Sequence, residues 1–493
     1  MRDSQDNGQS GLAAMWIGGR EALAQDGQTI EIANPATRQP LARVPRGRQA
    51  EVDLAVAAAS QAYAGWRACS PRERADALLR IADSLAADSE ALARLLATET
   101  GNALRTAARP EAQGAAGIFR YYAGVAGEAK GETVPGAEGT LAYTVREPLG
   151  VVAAIIPWNS PVAAAAVKIA SAIAVGNTIV VKTAEDAPLS ALKLAALCNA
   201  ALPAGVVNCL TGYGSECGAA LAMHPGVRKI SFTGSTETGK AIMRAAADRI
   251  VPVSLELGGK SPSIVYPSAN CDWAVDGVMT AMRFTRQSQS CTAGSRLFVH
   301  RDIYDDFLRK LAGRLDRLVV GDPLDEATDM GALINQRQHA KVNDYIACGL
   351  AEPSARLLAG GPSPGEGRLA QGYFALPTLI AGVDNGWRVA REEIFGPVLV
   401  AIPWSDERQV LEMANDTHYG LAAYVWTTDL GEAMRGASAL DAGWIQVNRG
   451  HAPGVGVSFG GVKNSGFGRE FSLEGMLDSF TQRKSVTLDF SHA

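Results

Sequence analysis

The sequence predicts an α/β protein, with a doubly wound, Rossmann-like parallel sheet followed by a second α/β unit. From residue 150 onward, short apolar runs alternate with Ala-rich helical stretches, the pattern of βαβ units around a parallel sheet. A second series of the same kind begins near residue 296. The 493 residues are 47% hydrophobic and 20% charged, which suits two or three domains with buried cores and excludes general disorder.

Taken in order, residues 1–18 read as a flexible arm, because Ser, Gln, Asn, Asp and Gly dominate before the apolar cluster Met15-Trp16-Ile17. Helical periodicity follows over 51–64 and over one longer helix from Pro71 to Thr100. Ser70 before Pro71 and Glu73 reads as its N-terminal cap, and Gly101-Asn102 as its end. The first sheet is then assigned strands over 151–156, 178–182, 206–211, 229–233 and 253–257, with helices starting near Pro161, Pro188, Ser215 and Ser235. In the second series, strands are expected over 296–300, 398–402, 421–426 and 444–447, helices over 302–316 and 406–415, and loop over 352–372. Ligands of such sheets bind at the carboxyl ends of the strands.

Lys and Arg number 46 against 51 Asp and Glu, a net charge of -5, with no long run of either sign. No basic face advertises nucleic acid or a membrane surface. No apolar stretch reaches the length of a membrane span, and no apolar leader opens the chain. Seven cysteines without a C-x-x-C pair point to a reducing, cytoplasmic setting. The six histidines form no ligand spacing, so no metal is expected.

Several segments carry chemistry. Gly234 to Lys240 has Walker A spacing, but Ala241 stands where a P-loop needs Ser or Thr for magnesium, so an ATPase is disfavoured. A strand turning into a helix whose N-terminus takes a phosphate accounts for it better. No G-x-G-x-x-G follows the strand ending in Pro157-Trp158-Asn159. Glu256, in Leu255-Glu256-Leu257-Gly258-Gly259-Lys260, is either a base in a cleft or the partner of a buried cation. Cys291 lies in a polar loop, Gln287 to Ser295, where a thiol is either structural or reactive. No local signature supplies the histidine of a Cys-His protease.

Together these segments resemble the aldehyde dehydrogenase superfamily over about residues 28 to 487. The matching pieces are Pro157-Trp158-Asn159, Val181-Lys182 to Glu185, Phe232 to Thr236, Leu255 to Lys260, Cys291 to Arg296, Glu392 to Pro397 and Phe459-Gly460-Gly461 to Glu470. The resemblance implies an NAD-binding domain (19–127 and 148–258), a catalytic domain (259–460) and a small β oligomerisation arm (128–147 and 475–489). An arm strand covered by a partner subunit implies a homodimer or homotetramer.

The same resemblance implies the chemistry. Cys291 attacks the aldehyde carbon, and the Asn159 amide and the Cys291 N–H donate to the developing oxyanion. Hydride leaves to the nicotinamide, and Glu256 activates the water that hydrolyses the thioester. A carboxylate at 256 favours hydrolysis over acyl transfer to coenzyme A. Lys168 and Glu470 read as a relay from Glu256 toward solvent, or as a plain ion pair. Cofactor contacts are implied for Ile156, Trp158, Lys182, Glu185, Gly234, Ser235, Leu257, Glu393 and Phe395. Glu185 favours NAD over NADP, since it repels a 2′-phosphate.

Departures cluster around the substrate: Arg286 and Ser288 stand where the family has Asn and Gly, Ser458 replaces a proline, and Ser160 follows Asn159 where an aromatic is common. The side chains expected around the aldehyde are Ser160, Ala164, Val167, Thr285, Arg286, Ser290, Thr292 and Ser458. None is aromatic, which implies an aromatic or otherwise bulky aldehyde. A semialdehyde whose carboxylate meets Arg286 is the alternative, and a non-catalytic structural or binding relative is the rival from another class.

Overall fold

The computed structural model describes residues 11–491. Ser70 caps its helix as expected: its Oγ accepts the Glu73 N–H at 3.3 Å, and the Glu73 carboxylate accepts the Ser70 N–H at 2.7 Å. The helix does not run to Thr100, however. Pro71–Ala87 stops at Asp88, whose carboxylate pairs with Lys193 at 2.8 Å, and Ser89–Thr100 starts afresh. The bend lets Leu85 and Leu92 enter the same core. Gly101 ends the second piece with a φ of 76°, a left-handed turn that favours glycine.

The expectation of a flexible arm through residue 18 is corrected at its end. Met15–Ile17 is a strand, paired with Arg20–Ala22 and, through Trp16, with Cys209. Met15 is fully buried, so its apolar cluster is core and not linker. Residues 1–10 lie outside the described residues.

The first sheet carries the five expected strands in the spatial order Val207–Leu210, Thr178–Lys182, Val151–Ile155, Lys229–Thr233, Val253–Glu256, all parallel. In chain order this is 3-2-1-4-5, so the direction of winding reverses between Val151–Ile155 and Lys229–Thr233. In sheets of this order the ligand crevice lies where the loops beyond those two strands part. The pair Met15–Ile17 and Arg20–Ala22 closes one edge, and Gly466–Phe467 closes the other antiparallel to Val253–Glu256.

The second sheet has seven strands, in the order Arg356–Ala359, Thr378–Ala381, Val398–Trp404, Arg296–His300, Pro262–Val265, Ala422–Trp426, Trp444–Val447. Only the first is antiparallel. Pro262–Val265, near the middle, escaped the sequence reading because it opens on proline and carries Ser263 in a run of only four residues. Arg356–Ala359 lies within the interval expected to be loop. A third sheet joins Thr133–Val134, Thr140–Pro148 and Thr481–Asp489. The boundary at 475 is corrected, because Leu473–Phe480 is a helix whose Met476 and Phe480 belong to the first core. Among the described residues, no helix is long and apolar enough to cross a membrane.

The helix Asp272–Met282 leads into the loop that carries Cys291, and its Gly277 lies flat against the Trp426 ring. A Cβ there would overlap the indole. Gly277→Ala gains ~1 kcal/mol in helix propensity but is expected to lose more, since overpacking a close contact costs ~1–3 kcal/mol or above. Thermal unfolding should show a melting temperature at least ~2 °C lower, and an unchanged or higher one would contradict this packing.

Candidate active site

Glu256 ends the strand Val253–Glu256 at the edge of the crevice, and Thr233 is its register partner on the neighbouring strand. It is buried, and neither carboxylate oxygen has a hydrogen-bond partner among the described residues. Burial, reinforced by the nearby charge of Glu470, pushes its carboxyl well above the usual carboxylate range, against the pull of Lys168 and Arg469. A carboxyl so raised keeps its proton to a higher pH than an ordinary carboxylate does. The next residues cross to the second sheet, where a Cβ at Gly259 would strike the Cys291 carbonyl and one at Gly258 the Glu393 carboxylate.

Cys291 follows an irregular turn in which Arg283, Gln287 and Ser288 all have positive φ, at 61°, 51° and 50°. Side chains in that region are strained by ~1–3 kcal/mol each, so the surroundings must impose it. They do so through hydrogen bonds: Arg283 Nη1 donates to Gly450 O at 2.7 Å, Gln287 Nε2 to Gly101 O at 2.7 Å, and Ile334 N to Gln289 Oε1 at 3.0 Å. Tyr424 OH fixes the far side, donating to Thr292 O at 2.7 Å. Burial, with Glu393 and Glu256 adding to it, pushes the Cys291 thiol up to about 12, and Arg283 opposes the shift. Asn159 reaches this loop from the first sheet, its Nδ2 donating to Gln289 O at 2.8 Å.

Behind Glu256, Lys168 Nζ meets Glu470 Oε1 at 2.5 Å and donates to Ser231 Oγ at 2.8 Å; all three groups are buried. A second buried lysine, which the sequence reading missed, lies along the same strand as Ser231. Lys229 Nζ donates to Ser254 Oγ at 2.6 Å, and burial, helped by the charge of Lys168, lowers its ammonium to about 7. Its position two residues before Ser231 was the available signal.

The expected cofactor residues gather around the crevice. Lys182 and Glu185 pair at 3.2 Å beyond the strand Thr178–Lys182. Ser235 is exposed and caps Thr236–Ala247, while Gly234 sits where a Cβ would overlap the Phe232 ring. Trp158 and Phe395 meet edge to face at 5.3 Å, and Phe395 holds a φ of 60°. Glu393 accepts the Gly259 N–H at 2.9 Å and is raised by burial. Ile156 and Leu257 are buried, joining this rim through backbone: Ile156 N donates to Lys182 O and Leu257 N to Ser465 O.

Around the expected substrate region the picture differs from the sequence reading. Val167 and Thr292 are buried, whereas Ser458 is exposed. Beside Ser458 rings do occur: Phe459 packs edge to face on Trp444 at 5.5 Å and on Phe471 at 5.9 Å. Arg286 neither faces solvent nor stands free to meet an anion, because its guanidinium is engaged by Glu111, Ser160 and Asn159. Glu111 lies 175 residues away in sequence, and no local pattern pointed to it.

Comparison with known proteins agrees with this architecture. The aldehyde dehydrogenase family matches residues 23–486. The chain is 42% identical over 476 residues to a hydroxyisobutyraldehyde dehydrogenase of Mycolicibacterium austroafricanum, covering 96% of this chain and 93% of that one. PnpE of Pseudomonas sp. WBC-3, solved in complex with nicotinamide adenine dinucleotide, superposes with a TM-score of 0.95 at 39% identity over 98% of each chain. The NAD+ complex of a Bacillus cereus aldehyde dehydrogenase gives 0.94 at 38% identity over 97% of each. Sharing its fold and nearly its whole length with these proteins, the chain belongs to the aldehyde dehydrogenase family.

Proposed function

We propose that the protein oxidises an aromatic or otherwise bulky aldehyde to its carboxylic acid with NAD, using Cys291 as nucleophile and Glu256 as base. The observation that carries this reading is the buried, unpartnered Glu256 carboxylate beside the Cys291 loop, in a chain of this family. The crevice residues fit NAD. Gly234 packs its backbone on the Phe232 ring just before Thr236–Ala247, that helix offers N–H groups to a pyrophosphate, and Glu185 at the rim is an acceptor for a ribose 2′-hydroxyl. Solved neighbours include NAD complexes.

In the acylation step the Cys291 thiol gives its proton to Glu256 as its sulfur bonds to the aldehyde carbon. The oxygen becomes an alkoxide and receives hydrogen bonds from Asn159 Nδ2 and the Cys291 N–H. NAD held in the crevice would supply the acceptor for the hydride that leaves this carbon, and a thioester remains on Cys291. Glu256, having passed its proton toward Glu470 and Lys168, takes one from water. The hydroxide adds to the thioester carbon, the carbon–sulfur bond breaks as Glu256 returns its proton to the Cys291 sulfur, and the carboxylic acid leaves.

The ring cluster of Phe459, Trp444 and Phe471 supports an aromatic substrate, since edge-to-face contacts contribute ~0.5–1.5 kcal/mol beyond burial. The engaged Arg286 counts against a semialdehyde. A small branched aldehyde is the second reading, carried by the relative named for hydroxyisobutyraldehyde. A homodimer or homotetramer is supported by exposed Val134, Leu141 and Leu488 on the three-stranded sheet, and a cytoplasmic setting by seven free cysteines.

These roles can be tested separately. Cys291→Ala should lose NAD reduction by several orders of magnitude while still binding NAD, and activity above a few per cent would remove Cys291 from the mechanism. Glu256→Gln should lower kcat ~10²-fold or more without an NADH burst, because it removes the acceptor for the thiol proton as well as for the water proton; wild-type steady rates would dismiss the base. Because the Glu256 carboxyl is raised and only its carboxylate accepts a proton, native turnover should fall with decreasing pH at a higher pH than an ordinary carboxylate allows. That limb should vanish in the variant. Glu185→Ser should narrow the preference for NAD over NADP by ~1–2 kcal/mol, and equal use by the native protein would contradict it. For the substrate, kcat/KM should rank benzaldehyde above acetaldehyde, hydroxyisobutyraldehyde and succinic semialdehyde; a preference for acetaldehyde would overturn the bulky-substrate reading.

A further inference from the structure

We propose that Arg286, held by Glu111, is a positioning residue for Asn159; the inference rests on the reading of Asn159 as oxyanion donor. Arg286 ends the short turn Phe284–Arg286, and its side chain folds inward toward the loop before the helix Pro161–Ala174. Nη1 donates to Ser160 Oγ at 2.7 Å and to Asn159 O at 3.2 Å, and it pairs with Glu111 Oε2 at 2.8 Å. Nη2 donates to Ala107 O at 3.3 Å.

The arrangement follows from a substitution of roles at the start of that helix. Ser160 occupies the N-cap position, but its side chain makes no capping bond. The free amides of Val162 and Ala163 are taken instead by Glu111 Oε1, each at 3.1 Å, from the separate helix Arg109–Val125. Ser160 Oγ is thereby released to accept from Arg286. One buried carboxylate, with a side chain 1% exposed, anchors both the helix start and the guanidinium.

The tie runs in both directions. Arg286 holds the Asn159 backbone, and the Asn159 side chain holds Gln289 O, three residues after Arg286 and two before Cys291. The two loops are therefore fixed to one another by a closed ring of hydrogen bonds, which sets where the donor stands relative to the sulfur. A lysine would keep the charge opposite Glu111 but offers no planar fork for several acceptors at once. Displacing a catalytic group by about 1 Å can cost ~10²-fold in rate.

The test is a double-mutant cycle on the full-length protein, with NADH formation and thermal melting as readouts. Arg286→Ala should lower kcat ~10- to 100-fold while KM for NAD stays within about twofold. In the Asn159→Ala background the same change should cost less than about twofold, because the group it positions is gone. Arg286→Lys should recover the melting temperature without recovering kcat. Ser160→Ala, which removes one acceptor and opens no core cavity, should lower kcat a few-fold, again only when Asn159 is present. Equal losses in the two backgrounds, a loss confined to KM for NAD, or native kcat in Ser160→Ala would each overturn the proposal. If Asn159→Ala alone keeps native kcat, the oxyanion reading falls first and this inference with it.

Discussion

The crossing from Leu257 to Lys260, which carries the chain from the end of the first sheet to the middle of the second, is the constraint on which the site depends. It has a carboxylate on one flank and a peptide carbonyl on the other, and neither leaves room for a side chain at Gly258 or Gly259. The Gly259 N–H is spent on Glu393. Through this one stretch, Glu256 at the end of one sheet, Cys291 before a strand of the other and Glu393 beside them are kept at fixed separation. Bulk here would push apart the two lobes and three functional groups at once.

A second theme is the use of buried carboxylates from distant parts of the chain to complete what local sequence leaves open. Glu99 takes the amides of Leu189 and Ser190 at the start of Leu189–Ala201, and burial raises its carboxyl to about 7. Glu111 does the same for Pro161–Ala174 while also facing Arg286. Glu470 neutralises Lys168. Each joins elements far apart in sequence, and removing one leaves a buried donor or cation without a partner, which is far costlier than losing a surface pair.

This pattern explains what the sequence made legible. The strands of the first sheet could be read because an apolar run of five residues with short turns is a local signal, and so could Cys291, Glu256 and Asn159 as motif residues. Pro262–Val265 was missed because a proline and serines interrupt the run, and the break at Asp88 because helical periodicity continues through it while the tertiary partner, Lys193, lies far along the chain. The Arg286–Glu111 pair was invisible for the same reason. In the sequence Arg286 is one arginine in a polar loop, and its partner's role follows only from the packing of two helices against the crevice.

The first sheet is also assembled from both ends of the described chain. Met15–Ile17 forms part of one edge and Gly466–Phe467 the other, with Glu470, Met476 and Phe480 entering the core beneath. By contrast, every strand of the second sheet lies between residues 262 and 447. During synthesis from the N-terminus, the second lobe has all its strands before the first is complete, and until residue 470 leaves the ribosome Lys168 is an ammonium bound for the interior without its counter-ion. The lobe begun first is thus the one finished last, and a chain truncated near its C-terminus loses the far edge of the cofactor sheet along with its tail.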